Sequence, residues 1–397
     1  MKKILQLCKD EFVLTAAAIL AILSAFWVHP DAGYLAYVDF RTLSLLFCLM
    51  AVMGGFQRLG VFRAIAQALL RRVGTSSVRI VLVLVLLAFF FSMLITNDVG
   101  LITFVPFTFT VLELLGEKAR DCLVVPVITL ETLAANLGSM LTPIGNPQNL
   151  YLYGKAGLSV GEFLLLMLPL TNVAGALLVI WSIVVGVRRG AKAEEVANAP
   201  NGEIIVDKAS KQVETVTGHD EKKKILLLLI YLILFALSLL TVANKVPFVF
   251  TLAVTFACIL FLDHKTLGKV DYFLLLTFTA FFIFIGNMGR IPAFSNFLGG
   301  IVDGREVPVG ILSSQVISNV PAALLLSGFS ENYKELIIGV NLGGLGTLIA
   351  SMASLISYKY LAKLAPGKKG RYLAYFTVAS IVFLGVLLLA YYGMKLF

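Results

Sequence analysis

The stretch Asn136-Leu-Gly-Ser-Met-Leu-Thr-Pro-Ile-Gly-Asn-Pro-Gln-Asn-Leu-Tyr-Leu-Tyr153 returns later in the chain, without a gap, as Asn341-Leu-Gly-Gly-Leu-Gly-Thr-Leu-Ile-Ala-Ser-Met-Ala-Ser-Leu-Ile-Ser-Tyr358. Asn136 meets Asn341, Gly138 meets Gly343, Thr142 meets Thr347 and Tyr153 meets Tyr358. Both copies sit in apolar surroundings. The first cannot be regular helix between Thr142 and Asn149, because Pro143 and Pro147 remove backbone donors and Gly145 weakens the turn. The second has Gly343, Gly344 and Gly346 without proline, which predicts a gentler break. Non-helical backbone at membrane depth must be buried in protein or line a watery cavity. There the freed carbonyls suit a cation and the exposed helix N-termini suit an anion. Gly-rich kinks also serve helix packing alone, but matching breaks in two halves of a chain point to a transporter's binding site.

Composition sets the class. Hydrophobic residues make up 59% and charged residues 14%, with a mean hydropathy of +0.93. That leaves too little polar surface to coat a soluble particle of 397 residues. The apolar runs are apolar on every side and many approach the length of a membrane-spanning helix, unlike the alternating strands of a barrel. The expected fold is an all-α polytopic membrane protein. A net charge of +9 invites a nucleic-acid reading, but 25 of the 32 Lys and Arg residues fall in alternate loops and 7 on the other face. That is the positive-inside pattern, and it places the N-terminus in the cytoplasm with no nucleic-acid partner. Cys8, Cys48, Cys122 and Cys258 have no paired spacing, so neither disulfides nor a metal site is expected. The first apolar run, Phe12 to Trp27, lacks a small-residue cleavage pattern and reads as a retained span.

The runs lie at 12–29, 40–56, 77–95, 99–115, 122–153, 161–187, 225–243, 246–262, 271–288, 306–329, 335–358 and 372–393. Polar, mixed-charge residues 188–224 read as a cytoplasmic linker between an N-terminal transmembrane repeat, 1–187, and a C-terminal inverted repeat, 225–397. Gln57 to Arg72 reads as an amphipathic interfacial helix. Val38-Asp39-Phe40 and Val270-Asp271-Tyr272 open matching runs, each with Gly and then Arg at the same later spacing (Gly54, Arg58; Gly286, Arg290). Two polar tips follow, Thr96-Asn97-Asp98-Val99 and Ser318-Asn319-Val320-Pro321. If 306–329 were one ordinary span, the basic cluster Lys359 to Arg371 would face outward, so the second tip reads as a re-entrant hairpin. By symmetry so does the first, although two full spans would satisfy the charge pattern equally.

Ser318 and Asn319 before Pro321 resemble a helix N-cap, as do Thr96, Asn97 and Asp98. Capping leaves the first-turn amides available to a ligand. Asp98 is an ionisable group at membrane depth, the kind that pairs with a cation or a proton. Glu131 is a second such carboxylate, with Arg120 or an interface as the alternative explanation; Glu113 belongs near a cytoplasmic helix end. His29, His219 and His264 lie at span ends or in the linker, and no His-Glu-x-x-His or paired-Asp motif falls within a span, so an intramembrane enzyme is disfavoured. A channel would not need two inverted broken elements. The repeated pattern assigns Asn97, Asn319, Asn146 and Thr347 to substrate, in one central site. It assigns Asp98, Thr142, Gly145, Asn149, Asn136, Asn341 and Gly343 to a coupling ion, Na+ or H+, with no other cofactor.

Thr-Asn-Asp, then Leu-Thr-Pro-Ile-Gly-Asn-Pro-Gln-Asn, then Ile-Ser-Asn-Val-Pro resembles the ion transporter superfamily of arsenite permeases, citrate and dicarboxylate symporters and sodium/proton antiporters. The chain looks most like its short bacterial anion permeases with a citrate-transporter-like domain. The resemblance implies a small anionic solute as partner, a homodimer with elevator-like movement, and a multi-pass protein of the bacterial cytoplasmic (inner) membrane. In the dicarboxylate branch each tip carries Ser-Asn-Thr for carboxylate and sodium. Here Thr96-Asn97 and Ser318-Asn319 match the first two positions, while Asp98 and Val320 depart at the third. A carboxylate where a hydroxyl should meet an anion brings the arsenite-permease and antiporter branches closer.

Overall fold

The computed structural model describes residues 11–71, 76–194 and 221–396, and among them the regular structure is entirely helical. Most of the linker, with Cys8 and His219, lies outside the described residues. In chain order the helices are α1 (Phe12–Trp27), α2 (Gly33–Tyr37), α3 (Phe40–Arg58), α4 (Val61–Arg71), α5 (Ser77–Ser92), α6 (Asn97–Leu114), α7 (Glu117–Ser139), α8 (Pro147–Ala156) and α9 (Val160–Glu194). They continue as α10 (Glu221–Val242), α11 (Phe248–Asp263), α12 (Tyr272–Gly289), α13 (Pro292–Val302), α14 (Glu306–Ile317), α15 (Asn319–Leu326), α16 (Tyr333–Gly343), α17 (Met352–Leu364) and α18 (Lys369–Lys395). By length and composition, seven helical segments among the described residues are long and apolar enough to cross a membrane. The chain is a polytopic helical membrane protein.

The helices at the second tip are too short for that task. At about 1.5 Å per residue, the 12 residues of α14 and 8 of α15 rise about 18 and 12 Å, against a hydrocarbon core of about 30 Å. They pack on one another as a hairpin, so the apolar run 306–329 is not one continuous span. At the first tip, α5 and α6 are longer, with 16 and 18 residues, and also pack together. Their tip does not end freely: the Asn97 amide donates to the carbonyl of Gly145, inside the interruption between α7 and α8.

Both interruptions are present. The first separates Ser139 from Pro147 and the second separates Gly343 from Met352, with a short 3-10 turn at Leu348–Ala350. The second break is therefore no gentler than the first, contrary to expectation. It needs no proline, because Gly346 takes a positive φ of 109°, a conformation that costs other residues free energy and ends the helical path.

The chain folds as two compact units. One comprises residues through Gly55, Pro147–Val160 and Leu229–Gly344; the other comprises Phe56–Asn146, Gly161–Leu228 and the residues from Leu345 onward. Each unit thus draws on both sequence halves. In the first unit, α16 packs against the α14–α15 hairpin and against α8, and Leu336 to Gly343 are all buried. In the second, α7 packs against α5, α6, α17 and α18, and every residue from Leu123 to Ser139 is buried. A helix enclosed by protein can carry Thr129, Glu131, Thr132 and Asn136 because neighbours rather than lipid face them. Helix α4 joins the second unit through buried Phe62 and Ala66 and leaves Ile65 and Leu69 exposed, an amphipathic face as the sequence predicts.

Candidate functional site

In the second unit the tip of the first hairpin is built around two asparagines. Asn97 opens α6 and is 5% exposed; Asn136, near the end of α7, is 7% exposed. The Asn97 Nδ2 donates to Asn136 Oδ1 at 3.1 Å. Asn136 Oδ1 also accepts from Ser351 Oγ at 3.0 Å, and its Nδ2 donates to Ser354 Oγ at 3.2 Å. One side chain therefore ties the hairpin tip, α7 and the start of α17 together. Thr96 is the half-buried N-cap of α6, without a side-chain capping bond. Asp98 is half-buried in the first turn, where the helix dipole favours its charge, and its amide donates to Asn97 Oδ1 at 3.0 Å.

The break beside this tip is internally bonded. Thr142 Oγ1 donates to the Met93 carbonyl, and the Gly145 amide donates to the Thr142 carbonyl at 3.3 Å. With Gly145 O accepting from Asn97 N at 3.2 Å, two carbonyls expected to be free for a cation already accept one backbone hydrogen bond each. Asn146, 2% exposed, donates to Ser139 Oγ at 3.3 Å. Thr347 is exposed and caps the 3-10 turn of the second break.

In the first unit Asn341 of α16 donates to Asn149 Oδ1 on α8 at 2.6 Å and to the Ile337 carbonyl at 2.8 Å. Asn149 is fully buried. At the second tip, Ser318 stands between α14 and α15 with φ at 72°, strained backbone of the kind held in place at functional sites. Its Oγ lies 3.5 Å from Asn319 Oδ1. The Asn319 amide occupies the space that a Cβ on Gly344 would fill, 2.9 Å away. The Gly343 carbonyl accepts from Gln315 Nε2 at 3.0 Å. A cavity of about 430 Å³, lined by Tyr37, Asp39, Tyr151, Lys155 and Phe282 among others, includes neither tip asparagine.

The gapless alignment of the two motifs also pairs Asn149 with Ser354 and Asn146 with Ser351. The bonds Asn136 to Ser354 and Asn341 to Asn149 are therefore equivalent, each joining the first part of one broken helix to the second part of the other. A further equivalence lies on the hairpins. Ser92 and Ser314 each stand five residues before the tip asparagine, and each faces the motif glycine: a Cβ on Gly138 would collide with Ser92 and the Phe89 carbonyl, and one on Gly343 with Ser314 and the Gly310 carbonyl. Sequence reasoning missed Ser351 and Ser354 as partners of Asn136, although their alignment with Asn146 and Asn149 carried the signal. It also left Glu131 undecided. Arg120 pairs with Glu113 at 3.6 Å, while Glu131 is fully buried in mid-helix.

The profile described as citrate transporter matches residues 7–332. The chain belongs to the citrate transporter family. It is 33% identical over 322 residues, 81% of each chain, to the uncharacterized transporter MJ0456 of Methanocaldococcus jannaschii. It is 31% identical over 345 residues, 85% of this chain and 84% of the other, to the inner membrane protein YbiR of Escherichia coli. The silicon efflux transporter LSI3 of Oryza sativa subsp. japonica shares 36% identity over 159 residues, 39% of this chain and 31% of that protein. As a citrate transporter family member with this helical composition, the chain is a membrane transporter of anions.

Proposed function

We propose that the chain is a secondary active carrier of a small anion or oxyanion, working by alternating access with Na+ or H+ as the coupling ion. The observation that carries this reading is the pair of equivalent tip and break assemblies, Asn97 with Asn136 and Asn319 beside Gly344. In each, a helix starts at a buried polar tip, and helix N-termini suit an anion. On this reading 1–187 and 225–397 are repeats of opposite orientation joined by a cytoplasmic linker at 188–224. The protein works as a homodimer in the cytoplasmic membrane with its N-terminus inside. The solute-binding residues are Asn97, Asn146 and Thr347, with Thr96, in the second unit, and Asn319, with Ser318, in the first.

Asp98 belongs to the coupling cation. An anion about 4 Å from its ionised carboxylate meets a repulsion of about 4 kcal/mol at an effective dielectric near 20. Cation or proton occupancy of Asp98 relieves that repulsion, which couples the two ligands thermodynamically. The test is uptake of labelled citrate, arsenite and silicic acid into proteoliposomes, with saturation and counterflow as signatures of a carrier. Asp98→Asn should keep exchange and lose its dependence on sodium or pH. Full cation dependence in that variant would move coupling to the other coupling-ion positions, Thr142, Gly145, Asn149, Asn136, Asn341 and Gly343. Asp98 in place of a hydroxyl also supports a second reading, arsenite-type efflux or cation/proton antiport; the partial likeness to a silicon efflux transporter points the same way. Proton release driven by sodium alone would favour antiport.

A further inference from the structure

Glu131 stands in the middle of α7, fully buried. Its Oε1 accepts a hydrogen bond from Thr108 Oγ1 on α6, and its Oε2 has no partner among the described residues. No Lys, Arg or His from α5, α6, α17 or α18 acts on it. The titratable group that faces it is the phenol of Tyr372 on α18, also fully buried. An ionised carboxylate without a counter-charge is very costly in such a place, and a buried polar atom without a partner calls for a role. Glu131 is not required for packing, since a leucine would fill the same mid-helix position with no polar atom to satisfy.

Its surroundings lead to the tip. Tyr372 Oη lies 3.3 Å from Thr132 Oγ1 of α7, and because Thr132 Oγ1 donates to the Ile128 carbonyl at 2.6 Å the phenol is the donor between them. Thr132 and Asn136 are one turn apart on the same helical stripe, and Asn136 holds Asn97, Ser351 and Ser354. Polar side chains thus line one face of α7 between the level of Glu131 and the asparagine at the hairpin tip.

We propose that Glu131 is a proton-binding site separate from Asp98, which takes up one proton to become a neutral carboxylic acid and gives it back to water. The proposal rests on the transport reading and names the proton as a coupling ion. A carboxyl locked permanently in the acid form would be structural only, so the test must see it titrate.

Infrared difference spectra of the purified protein in lipid nanodiscs, titrated between about pH 5 and 10 to cover the range of documented buried carboxyls, report the carboxylic-acid carbonyl band directly. The expected result is a band that grows as pH falls, is absent from Glu131→Gln and persists in Asp98→Asn. Tyr372→Phe, which keeps the ring and guards against a poorly folding Glu131 variant, should move the midpoint, because it takes a buried hydroxyl dipole away from the carboxyl. An unchanged titrating band in Glu131→Gln, no titrating band in the wild type, or an unmoved midpoint in Tyr372→Phe would overturn the proposal. Proteoliposome uptake separates the two readings. If citrate, arsenite and silicic acid are all refused while Glu131 titrates, the transport reading fails and the proton site stands. If uptake follows the proton gradient equally in wild type and Glu131→Gln, the proton site fails and the transport reading stands.

Discussion

Asn136→Ala removes the side chain that joins three elements of the second unit. Its amide makes three side-chain hydrogen bonds, to Asn97 at 3.1 Å, Ser351 at 3.0 Å and Ser354 at 3.2 Å. Side-chain hydrogen bonds inside membrane proteins contribute about 0.6 kcal/mol on average and up to about 1.7, so three predict a loss of about 2 kcal/mol. The partners are buried, and leaving them unsatisfied pushes the loss upward. Unfolding in mixed detergent micelles, followed by tryptophan fluorescence, measures it. Ser351→Ala and Ser354→Ala should each lose about 0.6 kcal/mol. Each should be non-additive with Asn136→Ala by about the same amount, whereas independent sites add within about 0.3–0.5 kcal/mol. Transport should fall further than the stability loss explains, since the Asn97 tip loses its tether. Additive double-mutant cycles, or a loss below about 0.5 kcal/mol for Asn136→Ala, would refute the view that this asparagine organises the tip.

Gly138→Ala should destabilise by about 1–3 kcal/mol or more, because the new methyl meets the backbone carbonyl of Phe89. Gly343→Ala should cost less, since its nearest obstacle is the Ser314 side chain, and thermal unfolding of the two variants checks the order. Arg290 pairs with Asp31 at 2.7 Å and, chiefly through that hydrogen bond, holds the Asp31 carboxyl below its usual range. A lowered folded pKa stabilises above the unfolded value of about 3.9 and is lost as pH falls through the folded one, so Asp31→Asn should flatten the stability profile between about pH 5 and 3. Cysteines placed at Ser210 and Asn332, in a background without the native ones, should label from opposite faces of intact cells; labelling from one face would remove the re-entrant second hairpin.

The all-helical membrane class was legible in composition alone, because a bilayer demands long all-round apolar helices and no folding detail alters that. Both interruptions were legible too, since Pro143, Pro147 and Gly346 act on their own backbone. Charge alternation and length then set the second hairpin apart from a span. What the sequence did not reveal is pairing across distance. That Asn136 reaches Ser351 and Ser354, that Asn341 reaches Asn149, and that each compact unit takes the second part of its broken helix from the other half of the chain are consequences of packing. They follow from the packing of α17 on α7 and of α16 on α8, elements far apart in the chain, which local propensity does not encode. The same holds for Glu131: its sequence neighbourhood left Arg120 available as a partner, and only the enclosure of α7 on several sides, with Arg120 turned to Glu113, left that carboxyl buried with Thr108 as its hydrogen-bond donor.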